Sequence, residues 1–236
     1  ELNRCIEGAY GSQWETQAIT PVSAIGEDWL LELFHGPTSA FKDVALQMLP
    51  RLMSVAREDA DVAGAVDAEG TEGVVATAGK SIMIVTATSG DTGKAALEGF
   101  KDVPGMGITV FYPEGKVSDI QRLQMVTQKG SNVAVCAVKG NFDDAQNAAK
   151  AIFANKELAH ELAGKGTGLS SANSINIGRL APQVTYYFDA YAQLVAKGAI
   201  TQGQKVTFCV PTGNFGDVLA GYFAKEMGLP VERLIV

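Results

Sequence analysis

From Ser81 onward the sequence alternates between short apolar runs and longer segments whose apolar residues recur every three or four positions, and this alternation restricts the fold most. Ser81–Thr86, Ile108–Tyr112 and Val133–Val138 read as strands. A helix is predicted up to about Phe100, and others over Asp119–Gln128 and Asp143–Ala154. A helical stretch from about Ile177 to Ala196, a strand over Lys205–Val210 and a helix from about Val218 to Met227 continue the series. Strands separated by helices and short turns form βαβ units. The expected fold is therefore α/β, with open, mostly parallel sheets and helices on both faces. No internal repeat is visible.

Ahead of this series, Trp29–Phe34 is a compact strand-like run that stops at His35-Gly36-Pro37-Thr38, a turn and helix cap. Phe41, Val44, Ala45, Met48, Leu49 and Leu52 then make the one-sided stripe of an amphipathic helix, in which Pro50 predicts a kink or an early end. Residues 61–80 hold five Ala, four Gly and four Asp or Glu with no stable period, which predicts a weakly ordered surface insertion.

The charge balance is 19 basic to 26 acidic residues, net −7, and no Lys/Arg cluster tracks a phosphate backbone, so nucleic acid is excluded as a partner. No apolar run reaches the roughly 20 residues that span a bilayer. The start Glu1-Leu2-Asn3-Arg4 lacks the features of a signal peptide, so a soluble, cytoplasmic protein without membrane partners is expected. Cys5, Cys136 and Cys209 lie far apart with no C-x-x-C pair; they encode neither a disulfide framework nor a metal site and read as small buried hydrophobes. The chain has no initiating Met, and Arg233-Leu234-Ile235-Val236 reads as a strand just beginning. A piece of a longer protein is expected, the alternative being a terminal edge strand.

Glycine is over-represented, 26 of 236 residues, and its clusters fall in three segments between a strand and a helix. These are residues 34–43 (Phe-His-Gly-Pro-Thr-Ser-Ala-Phe-Lys-Asp), 86–93 (Thr-Ala-Thr-Ser-Gly-Asp-Thr-Gly) and 211–217 (Pro-Thr-Gly-Asn-Phe-Gly-Asp). In an open parallel sheet such turns line one edge and can share a ligand crevice. Gly213-Asn214-Phe215-Gly216-Asp217 offers backbone amides ahead of a helix, a cradle for phosphate. With no Lys or Arg in it, and neither G-x-G-x-x-G nor Walker spacing, nucleotide binding is disfavoured. The alternative is an ordinary turn in which glycine supplies positive φ. Ser89-Gly90-Asp91-Thr92-Gly93 suits a carboxylate, or else Asp91 simply caps the next helix.

Lys42 stands among small and apolar residues, where burial would lower its pKa and a neutral amine could form an imine. Alternatively it is a solvated helix residue paired with Asp43. Ser171-Ala172-Asn173-Ser174-Ile175-Asn176-Ile177-Gly178-Arg179 suits a second anion, or is a polar helix start with Arg179 on the surface. Together these are the parts that pyridoxal phosphate needs when it acts on an amino acid.

With all four segments in this order, the chain resembles the threonine synthase family, pyridoxal-phosphate enzymes of the tryptophan-synthase-β class (fold type II), with 61–80 its weakest stretch. The resemblance implies a large cofactor-binding domain opening over residues 1–81, a smaller α/β domain over 82–165, and a return to the large domain over 166–236. It implies that Lys42 forms the imine with the cofactor and moves protons on the substrate, while Gly213, Asn214, Phe215 and Gly216 cradle the cofactor phosphate. Asp91 would lie at the cofactor ring, where related enzymes often carry Asn, and Thr88, Ser89 and Thr92 at the substrate carboxylate. Asn173, Ser174, Asn176 and Arg179, with Lys116, would meet a substrate phosphate.

The implied reaction converts O-phospho-L-homoserine and water to L-threonine and phosphate. A serine or threonine dehydratase, whose substrate lacks phosphate and does not need Arg179, is the nearest alternative; a non-catalytic fragment that only binds anions is another. Family chains extend past both ends of this one, so the chain corresponds to a middle part. The oligomeric state stays open.

Overall fold

The computed structural model describes residues 1–63, 81–173, 176–211 and 213–236. The expected insertion at 61–80 lies outside the described residues except for 61–63, which end a helix.

Helix α1 (Leu2–Ala9) is followed by an antiparallel hairpin of β1 (Val22–Ile25) and β2 (Asp28–Leu31), with Val22 opposite Leu31, and then by α2 (Asp43–Ala63). The next elements are β3 (Ser81–Ala87), α3 (Asp91–Phe100), β4 (Met106–Pro113), α4 (Asp119–Val126), β5 (Val133–Val138), α5 (Phe142–Ala154), α6 (Lys156–Gly164) and β6 (Thr167–Ser170). The last are α7 (Ile177–Ala196), β7 (Val206–Cys209), α8 (Phe215–Glu226) and β8 (Val231–Ile235). Side-chain caps start many of these helices: Ser118 for α4, Asn155 for α6, and for α5 a reciprocal pair between Asn141 and Asp144.

The central sheet runs β5-β4-β3-β6 and is parallel throughout, with Ile84 between Ile108 on one side and Ser170 on the other. Alternate residues of its strands feed two cores, as the period of two requires. Ile82, Ile84, Ile108 and Val110 pack with Leu97 and Phe100 of α3 and with Leu46 and Leu49 of α2. Val85, Ala87 and Leu169 face the other way, against Ala145 and Ala149 of α5. Helices thus cover both faces, as the alternation predicts. A second parallel pair, β7 and β8, joined through α8, packs with α7 around Tyr186, Tyr187, Ala220, Ala224 and Val231. Val44 of α2 belongs to this latter core while Leu46 and Leu49 belong to the first, so the amino end of α2 lies at the seam between them.

Pro50 does not end α2, which continues to Ala63. A proline there leaves the Leu46 carbonyl without its usual N–H partner one turn on. That oxygen instead faces Gly99 of α3, where a Cβ would overlap it, so the two helices cross closely at a residue with no side chain. The cysteines also depart from expectation: Cys5 is buried, but Cys136 and Cys209 are exposed. Cys136 lies on the edge strand β5, and on β7 Val206 and Phe208 turn inward while Cys209 turns out. The sequence does not predict helices α1 and α6 or strands β1 and β6; α6 buries no residue fully, β1 is four residues with only Val22 buried, and β6 is four residues, two of them hydroxylic. Among the described residues no helix is long and apolar enough to cross a membrane.

Candidate active site

Strands β3 and β6 are neighbours, and the turns that leave their carboxyl ends carry two of the candidate segments. The turn into α2 supplies the third group, Lys42, which is only 6% exposed. Its Nζ lies 2.7 Å from Oδ1 and 2.6 Å from Oδ2 of Asp91, and 4.4 Å from the centroid of the Phe41 ring. Burial pushes the Lys42 pKa down; Asp91 opposes this, Arg179 reinforces it and Asp217 opposes it. Burial thus works against the charged form of Lys42, and the carboxylates, Asp91 above all, work for it.

Asp43 is not its partner. The Asp43 side chain is fully buried and accepts hydrogen bonds from the Thr38 N–H (2.8 Å) and Thr38 Oγ1 (2.6 Å). These bonds close the turn that contains Ser39, whose φ of +56° is a left-handed conformation costing on the order of 1–3 kcal/mol. A buried acid thus holds a strained turn, and that turn delivers Lys42 toward α3.

Asp91 is the first residue of α3, but its carboxylate is engaged by Lys42 and does not cap the helix. The cap is supplied by Thr88: its buried Oγ1 accepts from the N–H groups of Gly90 and Gly93, both at 3.0 Å. Ser89 is exposed and Thr92 half-buried on the same turn. Replacing Asp91 by Asn should lower the pH at which Lys42 becomes acylated by acetic anhydride, since burial is then unopposed by that charge. The expected rise in labelling near neutral pH is roughly tenfold, the lower end of what one adjacent charge does to a pKa.

The 171–179 segment is stitched to the same edge. Asn173 Oδ1 accepts from Thr86 Oγ1 at 2.7 Å, and its Nδ2 donates to the Ala87 carbonyl at 3.2 Å. Asn176 caps α7 through the Gly178 N–H at 2.9 Å and donates to the Ser171 carbonyl at 2.9 Å. Ser174 lies outside the described residues. Arg179 is not on the surface: it is 2% exposed, and its Nη1 donates to the Ala172 carbonyl at 2.9 Å. Burial pushes its pKa down to about 10, with Asp91 opposing. Its Nε is buried with no hydrogen-bond partner among the described residues. Lys116 stands exposed on the turn that follows β4.

At the start of α8, Gly213 has a φ of +60°, which favours glycine, and a Cβ there would meet nothing within 4 Å. Asn214 caps the helix, its Oδ1 accepting from the Asp217 N–H at 3.1 Å. Phe215 is 84% exposed, so the loop offers its backbone, with Gly216, and not a packed ring. Asp217, which the sequence reading quotes but assigns no role, is 3% exposed and accepts from the hydroxyls of Tyr186 and Tyr187. No local pattern in the sequence announces that pairing, since the two tyrosines lie about thirty residues upstream.

The site thus combines a buried amine beside a carboxylate, glycine-bearing amides at a helix start and a buried guanidinium. In chemical terms an amine takes a carbonyl, amides at a helix start take a phosphate, and a guanidinium takes an anion. Among the described residues no group of three or more His, Cys, Asp and Glu could hold a metal ion.

No protein-family model matches the chain. It is 43% identical over 237 residues, covering 100% of this chain and 44% of the relative, to a threonine synthase of Pseudomonas aeruginosa. It is 44% identical to a threonine synthase of Saccharomyces cerevisiae, covering 100% of this chain and 43% of the relative. The structure is similar to that of a pyridoxal-phosphate-bound threonine synthase from Brucella melitensis, with a TM-score of 0.78 and 40% identity over 98% of this chain and 44% of that one. The chain spans less than half the length of the curated relatives it matches.

Proposed function

We propose that this chain, which is related to the threonine synthases along its whole length, carries the lysine and anion sites of a pyridoxal-phosphate enzyme converting O-phospho-L-homoserine and water to L-threonine and phosphate. The observation that carries this reading is the Lys42 amine, buried and held at 2.7 and 2.6 Å by Asp91, with Arg179 close enough to perturb it. Lys42 is the proposed attachment point of the cofactor, and the amides of Gly213, Asn214, Phe215 and Gly216 hold its phosphate. Asp91 lies at the cofactor ring. The open space above Gly213 and the absence of a packed ring at Phe215 suit that assignment.

When bound, pyridoxal phosphate supplies an electron-withdrawing ring that spreads negative charge generated at the substrate Cα. The work of this chain is positional and acid–base. With the cofactor bound, the Lys42 amine would take a proton from Cα and move protons at Cβ; burial lowers its pKa and Asp91 opposes that shift. Thr88, Ser89 and Thr92 are assigned to the substrate carboxylate, Thr88 through the turn that its hydroxyl shapes. Asn173, Ser174, Asn176 and Arg179 are assigned to the substrate phosphate, with Lys116 at the rim. The buried, unpartnered Arg179 Nε supports that role, since a buried donor without an acceptor costs about 1–3 kcal/mol unless a ligand supplies one.

The proposed smaller domain, residues 82–165, contains β4 and β5 and nearly all of β3; segments 1–81 and 166–236 flank it. A cytoplasmic setting belongs to the same reading.

The substrate assignment is tested by titrating the chain, preloaded with pyridoxal phosphate, with O-phospho-L-homoserine and with L-homoserine while following the cofactor spectrum. A preference for the phosphorylated compound is expected, and Arg179→Gln should erase roughly 10- to 100-fold of it, the worth of a charged hydrogen bond, leaving L-homoserine binding unchanged. Equal response to both compounds would point to a dehydratase-like substrate instead.

A further inference from the structure

We infer that Asp217, gripped by Tyr186 and Tyr187, is a positioning residue that sets the phosphate-binding amides of α8 at a fixed distance from Arg179. The inference rests on the reading of residues 213–216 as the cofactor-phosphate site. Asp217 sits within the first turn of α8, and at least three of its atoms are engaged. Its Oδ1 accepts from Tyr186 Oη at 2.5 Å and Tyr187 Oη at 2.9 Å, its carbonyl accepts from Tyr187 Oη at 2.9 Å, and its N–H donates to the Asn214 cap. One residue therefore joins the cradle to two side chains of α7.

The chemistry explains why an acid can stand there. A carboxylate beside a phosphate site would repel the ligand, but two hydroxyl donors aimed at one oxygen draw on its charge. Both tyrosines keep their protons, because burial and the Asp217 charge push each phenol pKa upward. Helix α7 also carries Arg179, seven residues before Tyr186, so the two residues share a helical face. Bracing α8 on Tyr186 and Tyr187 thereby fixes the amide cradle relative to the guanidinium.

The test compares the affinities of pyridoxal phosphate and of pyridoxal, the same aldehyde without its phosphate, for the unaltered chain, Tyr187→Phe and the near-isosteric Asp217→Asn. The unaltered chain should prefer the phosphate-bearing compound. Each variant should lose roughly 10- to 100-fold in affinity for pyridoxal phosphate, with pyridoxal binding nearly unchanged. A preference ratio untouched by both variants, or affinities for both compounds that fall together, would overturn the inference, since a merely structural role acts on both alike. If the unaltered chain shows no preference, residues 213–216 are not a phosphate site and the underlying reading falls with the inference.

Discussion

Replacing Lys42 by Ala should abolish retention of pyridoxal phosphate through dialysis while leaving the chain folded. Lys42 makes its ion pair with a carboxylate whose side chain is 45% exposed, so Asp91 can be solvated when its partner is gone. The turn that precedes α2 is held independently by Asp43 and Thr38, and the two cores meet at Val44, Leu46 and Leu49, beyond the altered position. Far-ultraviolet circular dichroism should therefore be unchanged, and the bound cofactor should wash out completely. A variant that retains cofactor after dialysis to the same extent as the parent would place the attachment elsewhere.

Gly99→Val should cost about 3 kcal/mol of stability, the upper part of the range for inserting methyl groups into a packed interior. The reason lies in the crossing of α2 and α3: a Cβ at 99 overlaps the Leu46 carbonyl, which is backbone and cannot rotate aside. In a chain of 236 residues that loss corresponds to a fall of roughly 6–12 °C in Tm. Gly164→Ala is the control, because nothing lies within 4 Å of a Cβ there, and its Tm should stay level or rise slightly. Equal effects at the two positions would mean that the helices separate freely at this crossing.

These two positions also show what the sequence reveals and what it withholds. Strand β5 and helix α7 coincide with the periodicity residue for residue, over Val133–Val138 and Ile177–Ala196, because each has a continuous apolar stripe to report. The close crossing of α2 and α3 beside Pro50 pairs Leu46 with Gly99, more than fifty residues away, and no local pattern contains that pairing. Lys42 is legible as unusual from its apolar neighbours. Its partner is not, since Asp43 is adjacent in sequence but turns back to Thr38, while Asp91 arrives from the start of α3, 49 residues on. Arg179 illustrates the same limit: a guanidinium in a polar helix start reads equally well as surface, and only packing decides that it is buried. Asp217 lay within a recognised motif yet acquired a role only once Tyr186 and Tyr187 were seen against it.

The most direct test of the central proposal is borohydride reduction of the chain incubated with pyridoxal phosphate, followed by peptide mapping. A single stable adduct on Lys42 is the predicted result, with the other lysines, including the exposed Lys116, unmodified at stoichiometric cofactor. An adduct spread over surface lysines, or concentrated on any residue but Lys42, would contradict it.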